Sequence, residues 1–418
     1  MSIDLQEDIT KKEWLTGFRQ QLEEELQAIL DWWMRHAKDV ECGGFYGSVN
    51  DANEPNRIAP KGLVLHARAV WTFSAACRYT GKQQYLSEAE TAFRFLESAF
   101  FDKKNGGFYW SVDADGNMLD GKKQVYGQAF VIYGLSELYL ACGNQSALDQ
   151  AIRLYEHLEQ VAWDKQYGGY IEAFEQDWTP RADFRLSEKE ENLCKTMNTH
   201  LHMIEAFANL YKAWPNPDLA ARIRDLLDIF SDKIINRTSN RQRLFFTETW
   251  QPAGSIISFG HDIEAAWLLH ECAVILGDAV YTQHFSQLAI TMAHAATDGL
   301  DTDGGLWYEY DASSDHWILE KHWWPQAEAM VGFFNAWQLS GQDRFLQQAA
   351  GVWTFIKRYI RDYGNGEWYW GVTENLHKME GQDKAGFWKC PYHNSRACIE
   401  LGHRIGQILV SSSGKPLC

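Results

Sequence analysis

Cys42–Val49 reads CGGFYGSV, and Asn105–Val112 reads NGGFYWSV. Each is a glycine turn followed by alternating aromatic and small or polar residues, the pattern of a short strand or hairpin. The pattern returns as YGGYIEAF from Tyr167, DGGLWYEY from Asp303 and NGEWYWGV from Asn365. The first glycines, Gly43, Gly106, Gly168, Gly304 and Gly366, stand 63, 62, 136 and 62 residues apart. The long interval is two periods, and RLFFTETW from Arg243 falls near its middle, which makes six units.

Between motifs the hydrophobic period becomes helical, with room for two helices of 15 to 20 residues in each unit. The spacing predicts twelve: 11–38, 61–80, 84–101, 124–142, 145–161, 196–213, 217–235, 258–277, 280–297, 321–340, 343–361 and 392–410. Connections as short as TGKQ before Tyr85 and GDAV before Tyr281 make neighbouring helices antiparallel. Neither end of the chain supplies a polar capping unit, so six pairs predict a closed ring rather than an open solenoid. The expected fold is all-α: one (α/α)6 barrel over 1–418, with short β-hairpins between helical pairs. Six segments are apolar nearly all round, among them LVLHARAVWTFSAACRY and GHDIEAAWLLHECAVIL, as helices of an inner ring must be. Charged segments such as FRQQLEEELQAILDWW belong to the outer ring.

Composition narrows the partners. The formal charge is −17 with no basic block, which disfavours nucleic acid and anionic membranes. MSIDLQEDITKKEWL has no basic segment leading into an apolar one, and no apolar run reaches the length of a membrane span, so a cytoplasmic protein is expected. The eight cysteines, Cys42 to Cys418, show no CxxC or zinc-like spacing, as expected of reduced thiols. Nineteen tryptophans suit flat sugar rings, and carbohydrate is the natural small-molecule partner. A monomer or weak homodimer is expected.

The inner helices carry polar exceptions, and these gather at their N-terminal ends: His66 and Arg68, Tyr126, Asn198, His200 and His202, His261 and Glu264, His322, Trp324 and Glu328, and His393. If the six helices run parallel, these ends meet at one mouth of the ring. Taken one at a time, each is explained by a hydrogen-bonded core histidine or a buried ion pair; six helices doing the same thing point to a site. In SFGHDIEAAWLL, Ser258–Leu269, His261 and Glu264 are three apart on one face, so that the carboxylate can orient the imidazole or bind substrate. His200 and His202 lie on nearly opposite faces, so one of them is structural. No HExxH or i,i+4 histidine pair is present in the site, and no metal is expected.

Several imidazoles with an arginine suit proton abstraction beside a carbonyl: the histidines act as base and acid, and the guanidinium holds the enediolate. Two histidines on opposite faces of one carbon invert it, whereas a single histidine moving the proton between carbons gives an aldose–ketose isomerase. An inverting glycosidase would need facing carboxyl groups, with Glu264, Glu328, Glu190 and Asp262 as candidates, and would leave the histidines without a task. A sugar-binding protein is a further alternative.

LHARAVWTFS, MNTHLHMIEA, FGHDIEAAWLL, HWWPQAEAM and GFWKCPYHNSR, in this order from about residue 11 to 410, resemble the N-acylglucosamine 2-epimerase superfamily in its cellobiose 2-epimerase branch. The resemblance implies an (α/α)6 barrel and reversible C2 epimerisation of the reducing-end glucose of a β-1,4-linked disaccharide. Ring opening and a cis-enediolate carry the reaction, without metal or nucleotide cofactor. It implies His261 and His393 as the acid/base pair, Arg68 at the enediolate oxygen, and His202 and Glu264 in ring opening. Tyr126, Asn198, Trp324, Trp388, Glu190 and Glu328 are implied at the substrate. The family favours His202 over His200 for the cavity, and carries Asp where LSEKEENLCKTMN has Glu190.

Overall fold

A computed structural model describes residues 2–188 and 190–411. Among them are twelve α-helices: α1 (Ser2–Trp32), α2 (Leu63–Thr80), α3 (Gln83–Phe95), α4 (Val125–Cys142), α5 (Gln145–Val161), α6 (Met197–Ala213), α7 (Pro217–Ile229), α8 (Phe259–Leu276), α9 (Ala279–Ala296), α10 (Trp323–Ser340), α11 (Asp343–Phe355) and α12 (Tyr392–Ser411). The even-numbered helices contact one another in order, α2 to α4 through to α10 and α12, and α12 returns to α2. The ring is therefore closed. The odd-numbered helices lie outside it: α3, α5, α7, α9 and α11 each pack on the inner helix just before them, and α1 packs on α12. Four outer helices run into a single wide helical turn, at Trp33–Ala37, Leu96–Phe100, Phe230–Ile234 and Ile356–Ile360, which accounts for their longer expected spans.

The burial follows the pattern. Along α2 every residue from Leu63 to Cys77 is buried, whereas α5 buries only one side, including Ala147, Leu148, Ala151, Leu154, Tyr155 and Leu158. Left-handed residues stop α2, α4, α8 and α10 at Gly81, Gly143, Gly277 and Gly341, where glycine has no Cβ to clash. No helix among the described residues is long and apolar enough to cross a membrane. Seven cysteines are free thiols, and Cys418 lies outside the described residues.

The strands form the short hairpins expected between helical pairs and also tie neighbouring units together. Each inner helix is entered through a short strand that pairs with the aromatic motif of the next unit, not of its own. Lys61–Gly62 pairs with Ser111–Val112, Lys123–Gln124 with Ala173–Phe174, and Lys195–Thr196 with Phe245–Phe246. Ile256–Ser258 pairs with Glu309–Asp311, and Lys321–His322 with Gly371–Val372. The last lead-in strand, Ala385–Gly386, pairs with the first motif at Ser48–Val49. Each motif also closes a local hairpin, with Met118–Asp120, Pro252–Ala253 and His316–Ile318 as strands and through the single bridges Val49 to Pro55, Phe174 to Pro180 and Val372 to Lys378.

A buried ion pair recurs beside these strands: Asp39–Lys61 at 2.7 Å, Asp102–Lys123 at 3.0 Å, and Asp164–Lys195, Asp301–Lys321 and Asp362–Lys384 at 2.6 Å. The aspartates also accept backbone N–H groups of their turns, as Asp102 does from Lys104 and Asn105, so their charge is shared before the lysine arrives. In the fourth unit the turn lies at Asn236–Asn240, earlier than the Arg243 motif suggests. Asn240 (φ 54°) holds the left-handed position that glycine takes elsewhere, a conformation asparagine tolerates.

Candidate active site

The lead-in strands bring all six inner-helix N-termini to the same end of the ring, and helical geometry then sorts their side chains. The fourth residue of α2, α4, α6, α8 and α10 faces the motif turn. His66 Nε2 accepts the Phe45 N–H (3.1 Å) and His200 Nε2 that of Tyr170 (2.9 Å), while their Nδ1 atoms face the carbonyls of Gly62 and Thr196. Gln128 grips Phe108 through both N–H and C=O, and Gln326 grips Leu306 in the same way. Asp262 accepts the Gln242 N–H at 2.8 Å. Burial pushes His66 and His200 down to about 4, so both are neutral acceptors holding the fold. A Cβ on Gly44 or Gly169 would stand 2.7 or 2.8 Å from these imidazoles, which is why the second glycine of those motifs is needed.

The sixth residue of each inner helix faces the ring axis: Arg68, Phe130, His202, Glu264 and Glu328 on α2 to α10, with Arg396 in the matching turn of α12. Arg68 donates to the Tyr126 hydroxyl at 2.8 Å and lies over Phe130 (4.0 Å) and Tyr392 (4.8 Å). His202 is held between Tyr126 and Phe130 and places Nδ1 2.9 Å from Glu205 Oε2. Arg396 Nη2 donates to Glu264 Oε1 (2.7 Å) and Glu328 Oε1 (2.6 Å), and its Nη1 donates to Glu205 and to the Tyr392 hydroxyl. Glu328 is fully committed: Oε1 also takes His393 Nδ1 (2.6 Å), and Oε2 takes Trp267 Nε1 (3.0 Å).

His261 and His393 share a neighbour. Their rings lie 4.7 and 5.8 Å from that of Trp324. His261 engages Ser258 Oγ through Nδ1 (2.8 Å), and His393 engages Glu328 through its own Nδ1, so in both rings Nε2 is the atom left for the cavity. Burial, helped by the charge of His202, lowers His261 to about 3. Burial and the Arg68 and Arg396 charges carry His393 well below its usual range. Glu264 is raised to about 8 by burial and by Glu328 beside it. Glu205 is held at about 2 against its burial by Arg396 and His202. At neutral pH the site therefore presents neutral imidazoles and a protonated carboxyl.

Around this centre, Asn198 Oδ1 is buried with no hydrogen-bond partner among the described residues. Trp388 leans on Trp110 (5.7 Å) and Tyr126 (6.1 Å) at the rim. Glu190 turns back into its own loop, accepting the Leu186 N–H at 2.9 Å, but its charge still reaches Tyr126 and Tyr308. Glu264, Glu328 and His393 present ligand atoms within 4.8 Å of one another, a spacing that suits a divalent cation. Arg396 Nη2 already donates to both of those carboxylate oxygens, so a cation of the chain's own occupies that role.

Residues 43–397 match the N-acylglucosamine 2-epimerase (GlcNAc 2-epimerase) family. The chain belongs to this family. A cellobiose 2-epimerase of Bacteroides fragilis is 43% identical over 384 residues, covering 92% of this chain and 98% of the relative. One from Dictyoglomus turgidum is 37% identical, covering 90% and 96%. The solved structure of cellobiose 2-epimerase from Spirochaeta thermophila superposes with a TM-score of 0.89 at 40% identity, covering 95% of this chain and 98% of that one.

Two features of this N-acylglucosamine 2-epimerase family member differ from what its sequence suggests. His261 and Glu264 share a face but make no bond to each other, because Ser258 takes the imidazole and Arg396 takes the carboxylate. The bonded i,i+3 pair is His202 and Glu205 instead. Sequence reasoning also missed Glu205, Trp267, Tyr392 and Arg396. The signal was present: Glu205 is a charged residue in the apolar run LHMIEAF, and Arg396 stands near the start of an inner helix, the same anomaly that singled out Arg68.

Proposed function

We propose that the chain catalyses reversible C2 epimerisation of the reducing-end glucose of a β-1,4-linked disaccharide, turning cellobiose into glucosyl-mannose and lactose into epilactose. The observation that carries this reading is a pair of imidazoles, His261 and His393, beside the same tryptophan, Trp324, each engaged through Nδ1. The names of the relatives at 37–43% identity support the substrate class.

In this mechanism the sugar ring opens first, with the protonated Glu264 and His202 serving the ring oxygen and the anomeric hydroxyl. One imidazole then removes the C2 proton, which is feasible because its lowered proton affinity keeps it unprotonated at neutral pH. The electron pair moves into the carbonyl, and Arg68 meets the negative oxygen of the cis-enediolate with a permanent charge. The negative charge of the enediolate favours a proton on the imidazole of the opposite face, which takes one up from solvent at Nε2 and delivers it to C2; the configuration inverts, and the first imidazole releases the proton it took to solvent. Asn198 offers its unused acceptor to a sugar hydroxyl, and Trp388 offers a stacking face to the second sugar. The glycosidase alternative is disfavoured, because Glu264 and Glu328 sit on one guanidinium instead of facing each other across a gap wide enough for an attacking water.

The test is incubation with cellobiose and with lactose in D2O, followed by product separation and NMR. A C2 epimer carrying deuterium at C2 is expected. Ketose product would shift the assignment to an isomerase, free glucose to a glycosidase, and unlabelled epimer would refute the proton-transfer chemistry.

A further inference from the structure

Three buried groups have no task in this mechanism: Arg396, Glu205 and Tyr392. Arg396 is 1% exposed, and its guanidinium collects one carboxyl group from each of three helices, Glu205 on α6, Glu264 on α8 and Glu328 on α10. Two of those carboxylates hold an imidazole: Glu205 takes His202 Nδ1 and Glu328 takes His393 Nδ1. An unbroken chain, His202 to Glu205 to Arg396 to Glu328 to His393, thus crosses the floor of the cavity. Tyr392 braces it by donating to Glu205 Oε1 at 2.6 Å.

We propose that Arg396 is a positioning residue that sets the tautomer of both imidazoles and keeps them neutral by taking up the charge of the carboxylates that hold them. The proposal rests on the acid/base reading of the site, and Arg396 itself needs no contact with substrate. The physics is a competition for lone pairs. A carboxylate that accepts an imidazole N–H favours the imidazolium, and a guanidinium donating to that same carboxylate weakens the pull. The forked guanidinium serves three carboxyl groups at once, which the point charge of a lysine cannot do. The charged and titratable groups facing His393 are Arg68 from α2, His202 and Glu205 from α6, Glu264 from α8 and Glu328 from α10, with Arg396 and Tyr392 on its own helix. Burial and two cations hold the imidazole neutral against the carboxyl groups around it. Removing one of the two cations, or replacing the guanidinium fork by a point charge that leaves a carboxylate free to pull on the imidazole, tips the balance towards imidazolium, which cannot accept a proton.

The test combines histidine 15N NMR with kinetics on the full chain. In the wild type, His202 and His393 should both carry hydrogen on Nδ1 and stay neutral below the ordinary histidine midpoint. In Arg396→Lys, at least one midpoint should rise by about one pH unit or more. The acid limb of kcat should move up with it, kcat should fall about tenfold or more, and KM should change less than about threefold. Arg396→Met should lose more. Wild-type His393 protonated on Nε2, or titrating near 6.5, would overturn the proposal. So would Arg396→Lys with unmoved midpoints and pH profile, or a loss confined to KM. The wild-type spectrum decides even if neither variant folds, and decides whether or not a sugar is epimerised, so failure of the functional reading stays separable.

Discussion

His200→Gln should be nearly silent, and His200→Ala should not. The fourth position of the inner helices is filled by histidine on α2 and α6 and by glutamine on α4 and α10, and both residue types accept the same motif N–H at 2.7–3.1 Å. Alanine at 200 orphans the Tyr170 N–H in a fully buried place, costing about 1–3 kcal/mol. The space left by the ring brings the total to about 3–5 kcal/mol. Glutamine restores the acceptor, and the loss should stay within about 1 kcal/mol. A pH signature accompanies it. His200 has its proton affinity lowered from 6.5 to about 4 in the fold, so the unfolded chain takes up the proton first as pH falls. Its stabilisation is full above about pH 6.5 and is lost on the way down to about 4, roughly 3 kcal/mol in all. Glutamine does not titrate. His200→Gln should therefore gain on the wild type by about 2–3 kcal/mol between pH 7 and pH 4.5. Urea unfolding at the two pH values measures this, with epimer formation assayed alongside. If His200→Gln is as damaging as His200→Ala, or if His200→Ala keeps its stability and loses turnover, the division of labour between His200 and His202 is wrong.

Single substitutions His261→Asn and His393→Asn should each lower kcat by about 10²–10⁴ while leaving the unfolding midpoint near the wild type, as read by product analysis and urea titration. Trp388→Ala should raise KM for cellobiose about tenfold and change turnover of the free monosaccharide far less, because the lost face serves the second sugar. Asp102→Ala leaves the Lys123 ammonium buried and unpaired, and should cost about 3–5 kcal/mol in unfolding free energy.

The ring and its count of helices were legible because the glycine–aromatic motif repeats at a nearly constant interval and the amphipathic and all-apolar segments alternate. Strand pairing was not legible, since a two-residue strand carries no register information and Lys61 gives no sign of whether Val49 or Val112 lies opposite. The buried lysines were readable in hindsight, because an aspartate precedes the first glycine of most motifs and a lysine precedes most inner helices. On the site, position within the helix told His200 from neighbouring His202 only as opposites; the bond to Tyr170 decided which one serves the fold. Arg396 was not legible, because a charge on the last helix reads as surface until its carboxyl partners on α6, α8 and α10 are seen around it.

Closure through Ser48–Val49 and Ala385–Gly386 has a consequence for how the molecule comes apart. An open array of helical pairs frays from its end units, which have a neighbour on one side only. Here each partition is shared by two units and no unit is terminal, so local melting anywhere takes strand partners from both sides. Denaturation should run as a single concerted collapse of the wheel, and the floor that holds His202 and His393 should persist until that moment.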